Sequence, residues 1–307
     1  MKKIFIDGSA GTTGLRIADR LRDRRELEIL RIEEEKRKDP IERKRLMNSA
    51  DIVFLCLPDE AAKEAVTLIE NKDTAVIDTS TAQRTNPVWV YGFPELNGQR
   101  EKIRCSKRIA NPGCHASGFI ALVRPLTETG VLNKDSLLSC VSLTGYTGGG
   151  KRMIEAYESQ NRPCGYDSPR QYGLTQTHKH LAEIALMTNL SSFPVFCPIV
   201  ASFPTGMEVT VPLHGAQIGA KKSEIEDVYR NYYSQGLIQF HKEADADGFL
   251  CANALSGTDR MEISVFGNDE RMILTARFDN LGKGASGAAI QNMNLLLGIE
   301  ETAGLIL

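Results

Sequence analysis

The chain lacks a dominant charge: 37 Lys and Arg stand against 39 Asp and Glu in 307 residues, a formal net charge of −2. No broad field draws nucleic acid or anionic lipid, so a bound anion must be held by local groups, and nucleic acid is not an expected partner. Long hydrophobic runs are missing as well. No stretch reaches the roughly 18 to 20 apolar residues of a membrane helix, and Met1-Lys2-Lys3 leads into a short alternating segment rather than a secretory core. The expected location is the cytoplasm, with no membrane partner. The seven cysteines (Cys56, Cys105, Cys114, Cys140, Cys164, Cys197, Cys251) are odd in number, widely spread and without a CxxC pair. That pattern supports neither a disulfide framework nor a zinc site, and no metal is expected. Internal repeats and low-complexity linkers are absent too. What is present is an ordinary soluble composition, 42% apolar and 25% charged. The length exceeds one hydrophobic core and falls short of three, which points to a two-domain enzyme.

The N-terminal third reads as a nucleotide fold. Lys3–Asp7 is a short β-rich run, followed by Gly8-Ser9-Ala10-Gly11-Thr12-Thr13-Gly14 and then by Leu15–Leu21 with helical apolar spacing. Such glycines let the chain turn tightly and bring N–H groups to a pyrophosphate at the positive end of the helix, with Ser9, Thr12 and Thr13 as further donors. The spacing is GxxGxxG rather than GxGxxG, and an ordinary glycine turn is the alternative. Further runs at Leu27–Ile32, Asp51–Leu57 and Thr74–Asp78, with helical spacing between them, predict a doubly wound α/β fold with a parallel sheet. Ligands bind beyond the carboxyl ends of such strands, so Gly8, Gly11, Gly14, Pro58 and Ser80 are expected on one rim. After the second strand, Glu33-Glu34-Glu35-Lys36-Arg37-Lys38 carries both an acidic signal for a ribose 2′-hydroxyl and a basic one, Lys36, for a 2′-phosphate. A solvated charge run explains it equally well.

Cys114 follows a Pro-Gly turn and precedes a run able to form a helix. A helix N-terminus stabilises a thiolate, the reactive form of the side chain; the alternative is a small buried hydrophobe. Only five histidines are available as proton partners, His115, His178, His180, His214 and His241. Thr177–Ile184 looks like a helix start on which Glu183, three residues from His180, would orient that imidazole. His115 is expected to point away from the sulfur. The basic residues near these segments, Arg84, Arg108, Lys151 and Arg152, are candidates for phosphate and carboxylate groups.

Taken together these segments resemble the N-acetyl-γ-glutamyl-phosphate reductases, the arginine-pathway members of the semialdehyde dehydrogenase group, in their shorter form. The resemblance runs nearly end to end. It is carried by Gly8–Gly14, Asp78–Arg84, Trp89–Leu96, Asn111-Pro112-Gly113-Cys114, Gly145–Lys151, His178-Lys179-His180 and Asn280–Asn294. It implies Cys114 as nucleophile, acid–base chemistry from His178 or His180, and NADP(H) as cofactor, with Asn280, Lys283 and Gly284 beside the nicotinamide. It also implies an acyl-phosphate or semialdehyde substrate with phosphate, for which Arg84, Arg108, Asn111, Tyr146 and Lys151 are the candidate ligands in this sequence. The implied fold is a Rossmann-type NADP-binding domain, residues 1–114 and 285–307, plus an α+β catalytic and dimerisation domain, residues 115–284, in a homo-oligomer (dimer or tetramer). Two departures stand out. Ala182 replaces a proline common in the family, and Gln83 replaces a histidine, which removes any proton-carrying role there. A reductase of aspartyl or carrier-linked acyl phosphates, or a silent NADP-binding regulator, are the rival readings.

Overall fold

Between residues 1 and 112 the alternating pattern becomes strand, helix, strand. A computed structural model describing Met1–Leu307 shows β1 (Lys2–Asp7), α1 (Thr12–Leu21), β2 (Leu27–Leu30), α2 (Pro40–Ser49), β3 (Ile52–Leu55), α3 (Asp59–Thr67), β4 (Ala75–Asp78), β5 (Val90–Tyr91), α4 (Gln99–Arg104) and β6 (Arg108–Ala110). The strands form one parallel sheet in the order β2-β1-β3-β4-β6-β5. Side chains alternate across it. Phe5, Val53 and Val76 face Leu46 and Met47 of α2 and Ala65 of α3. Ile4, Ile6, Phe54 and Ile77 face Ile17 and Leu21 of α1 on the other side. β3 and β4 are buried at every position, which is why they read as unbroken apolar runs. Because the strands run one way, the glycine turn, Pro58, Ser80 and Asn111 all follow strand ends on one rim.

The second part begins with α5 (Cys114–Glu128) and continues through β7 (Ser139–Gly145), α6 (Lys151–Glu158), β8 (Arg170–Gln171), α7 (Leu181–Thr188), β9 (Val195–Ala201), β10 (Met207–His214), α8 (Lys222–Tyr232), β11 (Ile238–Phe240), β12 (Met261–Gly267) and β13 (Arg271–Phe278). Its mixed sheet has the order β11-β12-β13-β10-β7-β9-β8. α5 is buried along most of its length against this sheet. Gly118 makes the approach possible: a Cβ there would lie 2.4 Å from Val209 and 2.9 Å from Phe278. On the opposite face of the sheet Val141, Val195 and Ile273 are exposed.

α9 (Gly287–Leu297) closes the chain by returning to β4, α1 and α4. Its polar residues are buried, and their amide nitrogens find acceptors. Asn292 donates to the Gly92 carbonyl (2.9 Å) and to Asn111 Oδ1 (3.2 Å), and Asn294 to the carbonyls of Glu301 and Ala303 (both 2.9 Å). The two units are residues 1–112 with 285–305, and 113–284 with 306–307. Cys114 thus falls in the second unit, not at the end of the first, because it is the first residue of α5. The last two residues fall there too, because Ile306 exchanges hydrogen bonds with Asp259.

Candidate active site

α1 follows Gly11 with no side-chain cap, so the N–H groups of its first turn suit an anion. Gly8 sits at φ +88°, where a Cβ would stand 2.3 Å from the Cys56 carbonyl oxygen; at Gly14 one would stand 2.4 Å from that of Gly8. Both glycines are required by the turn itself. The turn leaves Ser9 and Gly11 exposed and Thr12 and Thr13 half-buried. Ser9 also lines a cleft of about 310 Å³ with Leu15, Ala18, Ile29 and Arg31. These features fit a dinucleotide. Pro58 precedes α3 on the same rim. Ser80 is buried, its hydroxyl donating to Asp78 at 3.0 Å, so it shapes the rim. Lys36 departs from expectation: it is exposed, paired with Glu33 at 2.7 Å, and the basic side chains lining the cleft are Arg22 and Arg31.

Cys114 occupies the first position of α5 after Gly113, forms no disulfide and is half-buried. The helix N-terminus favours an anionic sulfur at this place. Gly284 lies directly beside it; a Cβ there would stand 3.0 Å from that of Cys114 and 3.1 Å from the Asp279 carbonyl oxygen. Glu183, fully buried, accepts a hydrogen bond from the Gly113 N–H at 3.2 Å and approaches His180 Nε2 at 3.9 Å. One carboxylate therefore braces both the turn before Cys114 and an imidazole. The helix expected to open at Thr177 starts at Leu181 instead, because residues 178–180 form a tight turn in which the His180 N–H donates to His178 Nδ1 (3.2 Å). Glu183 and His180 keep their three-residue spacing. With Nδ1 accepting, the neutral imidazole of His178 carries its proton on Nε2. Burial, and then the charge of Lys179, lowers its pKa and keeps it neutral.

His115 lies in the same histidine cluster. It is buried, its ring centroid 5.6 Å from those of both His178 and His180, with Nδ1 2.6 Å from Ser142 Oγ and Nε2 2.7 Å from the Tyr172 hydroxyl. Helical geometry does turn it away from Cys114, but β7 and the 172–180 segment meet it there. Ser142 and Tyr172 belong to no motif, and only the fold brings them to the histidines.

The substrate candidates divide. Arg84 is buried and donates to the carbonyls of Asn111 (2.9 Å) and Thr79 (3.1 Å), bracing the rim from within. Arg108 is turned away: it heads β6, and its guanidinium reaches back to the Thr74 carbonyl (2.9 Å) before β4, at the end of the sheet opposite the rim. Asn111 is buried and donates to the Ala285 carbonyl at 3.0 Å. Tyr146 is buried, stacked on Tyr157, its hydroxyl donating to Glu158 at 3.2 Å. Lys151 is exposed at the start of α6, after Gly150. Asn280 is buried and links Gly206 N–H (3.0 Å) to Thr147 Oγ1 (3.2 Å). Lys283 is buried in a single π turn, Gly282–Ser286.

A parallel α/β unit with a glycine turn, followed by a mixed sheet carrying a cysteine at a helix start, defines the semialdehyde dehydrogenase class. Residues 3–105 match the semialdehyde dehydrogenase NAD binding domain, and residues 114–280 the semialdehyde dehydrogenase dimerisation domain. Among solved structures, aspartate semialdehyde dehydrogenase II of Vibrio cholerae is similar with a TM-score of 0.72 at 16% identity, covering 97% of this chain and 99% of that one. The Candida albicans enzyme with NADP gives a TM-score of 0.69 at 15% identity, covering 97% and 99%. Closer in sequence are N-acetyl-gamma-glutamyl-phosphate reductase 2 of Nostoc sp., 46% identical over 99% of each chain, and the Brucella ovis reductase, 45% identical over 96% of this chain and 99% of its own. The chain belongs to the N-acetyl-gamma-glutamyl-phosphate reductase family.

Proposed function

We propose that this protein reduces N-acetyl-γ-glutamyl phosphate to the semialdehyde and phosphate, in arginine biosynthesis, through a thioester on Cys114. The observation that carries the reading is Cys114 at the start of α5, with Glu183 joining its turn to His180. The Cys114 thiolate attacks the acyl carbonyl and expels phosphate. The Cys114 backbone N–H, at the helix start, is placed to stabilise the tetrahedral oxygen. The turn Gly8–Gly14, with Ser9, Thr12 and Thr13, would hold NADPH, which when bound would supply hydride for the reduction of the thioester. Gly284, with no side chain, leaves the space beside Cys114 open. His180, backed by Glu183, exchanges the proton on the thiohemiacetal oxygen as it collapses to the aldehyde. His178 is assigned a donor's role, since its Nδ1 is already engaged by the His180 N–H.

Residues 1–112 with 285–305 are assigned to NADP binding, and 113–284 to catalysis and dimerisation. Of the basic residues, Lys151, exposed at the start of α6, is the preferred phosphate ligand. No helix is long and apolar enough to cross a membrane. The working form is proposed to be a cytoplasmic homo-oligomer; the dimerisation-domain match and the exposed Val141, Val195 and Ile273 support a second copy on that sheet face. The test follows reduced nicotinamide by absorbance with phosphate, NADP and N-acetylglutamate semialdehyde, against aspartate semialdehyde as competitor. Turnover with the acetylated substrate, lost in Cys114→Ser, supports the reading; turnover confined to aspartate semialdehyde, or NADP binding without turnover on either, overturns it.

A further inference from the structure

His115 is a buried imidazole for which the reaction has no proton-carrying task, yet both its nitrogens are engaged at short range. Ser142 Oγ, on β7, is completely buried and lies 2.6 Å from Nδ1; the hydroxyl has no other hydrogen-bond partner. A buried hydroxyl whose sole neighbour is a ring nitrogen donates to it, because the opposite polarity would leave its proton unsatisfied at a cost of about 1–3 kcal/mol. Nδ1 is therefore the acceptor. Burial, followed by the nearby His178, pulls the His115 pKa down to about 3, so the ring is neutral and its single proton is on Nε2. Nε2–H then donates to the Tyr172 hydroxyl oxygen at 2.7 Å. That bond fills an acceptor site on the phenol and forbids its own proton from pointing back. The Tyr172 proton must turn elsewhere, and Tyr172 is only partly buried. Burial, and then the charge of Cys114, raises the Tyr172 pKa, so the phenol stays protonated; its ring lies 6.0 Å from that of His178.

We infer that Tyr172 contacts the substrate as an obligate hydrogen-bond donor to an oxygen of the group held at Cys114, its polarity set by the chain Ser142 to His115 to Tyr172. Ser142 and His115 are positioning residues that act through Tyr172. Without the chain, a tyrosine beside a histidine donates to the ring nitrogen, the stronger O–H···N arrangement, and is spent there. The inference rests on the reductase reading for the identity of the substrate, though not for the polarity of the chain.

Two measurements test it. Histidine ¹⁵N spectra of the substrate-free protein, with His115 assigned from a His115→Gln variant, should show Nε2 protonated and Nδ1 as the acceptor from about pH 5 to about pH 9. In Ser142→Ala the proton should stay on Nε2 while the Nδ1 resonance loses the shift of a hydrogen-bonded acceptor. A proton on Nδ1 in the unaltered protein, or an Nδ1 resonance unchanged in Ser142→Ala, overturns the chain. For turnover, Tyr172→Phe should lower kcat/KM about tenfold to a hundredfold, and Ser142→Ala about tenfold. In the Tyr172→Phe background, Ser142→Ala should change kcat/KM less than about twofold, since its effect passes through a hydroxyl no longer there. Losses that simply multiply would show Ser142 acting by general destabilisation and would sink the inference. The spectra need no substrate, so failure of the reductase reading is visible separately, as an unaltered protein with the expected tautomer and no turnover.

Discussion

The two units solve the problem of building a site in opposite ways. In the first, the residues offered to a nucleotide are consecutive: Gly8 through Gly14 form one turn between β1 and α1, and the glycines are demanded by backbone contacts inside that turn, Gly8 against Cys56 and Gly14 against Gly8. In the second, Cys114 and the histidine cluster draw on groups that come from far apart in the chain. Cys114 and His115 start α5, Ser142 lies in β7, Tyr172 follows β8, His178 to Glu183 lead into α7, and Gly284 follows β13. The first site is a local conformation that a ligand completes; the second is a tertiary assembly that a sheet and three segments must bring together. Substitutions in the first should therefore damage cofactor binding while sparing the proposed chemistry at Cys114, and those in the second should do the reverse.

The sharpest test is Cys114→Ser. Replacing the sulfur removes the proposed nucleophile and leaves the first unit untouched, so kcat/KM should fall by at least about a thousandfold, roughly 4 kcal/mol of transition-state stabilisation, with NADP affinity changed less than about twofold. Steady-state kinetics and a fluorescence titration of the cofactor check the two halves. An equal loss of cofactor affinity would break the separation between the units.

Glycine substitutions come next and cross the comparison directly. Gly8→Ala combines positive φ with a Cβ 2.3 Å from a carbonyl oxygen, and backbone has nowhere to give. A loss of about 3 kcal/mol in unfolding free energy is expected, together with loss of NADP binding in whatever remains folded. Gly284→Ala is milder, with its nearest contact at 3.0 Å, the Cys114 Cβ. It should cost about 1–2 kcal/mol and lower kcat about tenfold, with cofactor affinity retained. Denaturant melts with cofactor titration would show whether the two effects separate.

The same contrast decides what a single sequence could reveal. The parallel strands, the glycine turn and Cys114 at a helix start follow from period and local turn chemistry, so they were readable in advance. His180 and Glu183 were also legible, because three-residue spacing survives even though the helix starts at Leu181. The fate of His115 was not. Its neighbourhood depends on which strands and loops reach that side of α5, information that lies in the pairing of β7 with β9 and in the path of residues 172–180. Arg108 misled for a related reason: proximity to a motif in the chain says nothing about which end of a strand a side chain reaches. The buried amides of α9 belong to the same group, since Asn292 and Asn294 make sense only once Gly92, Asn111 and Glu301 surround them.

A smaller effect separates the units by pH. In the unfolded chain a histidine takes its proton near 6.5, whereas folded His115 resists to about 3 through burial. His178 is shifted the same way, by burial and Lys179. Above about pH 6.5 both states are neutral and stability is complete. As the pH falls toward about 3, the unfolded chain binds protons that the folded one refuses, so stability declines by up to about 1.4 kcal/mol per pH unit for each such histidine. His180 and Glu183 face the same cluster. Urea midpoints collected across this range should flatten in His115→Gln; an unchanged slope would show that His115 titrates normally.

The smallest effect concerns the edge of the first site, where a local signal was ambiguous. Lys36 lies in a charge run that suits a 2′-phosphate, but the folded chain pairs it with Glu33 in an exposed turn and pairs Arg37 with Glu34. Exposed ion pairs of this kind are screened and weakly coupled to anything beyond them. Lys36→Ala should therefore change NADP affinity less than about threefold. Arg31 lines the cleft beside Ser9, and no ion pair or hydrogen bond engages its guanidinium. Arg31→Ala should weaken NADP more than Lys36→Ala does, and weaken NAD little, because only the phosphorylated ribose offers a charge to lose. Titrating both dinucleotides against both variants sets the comparison at its finest grain. If Lys36 proves the more costly to remove, the charge run is part of the cofactor site and the consecutive turn is not sufficient by itself.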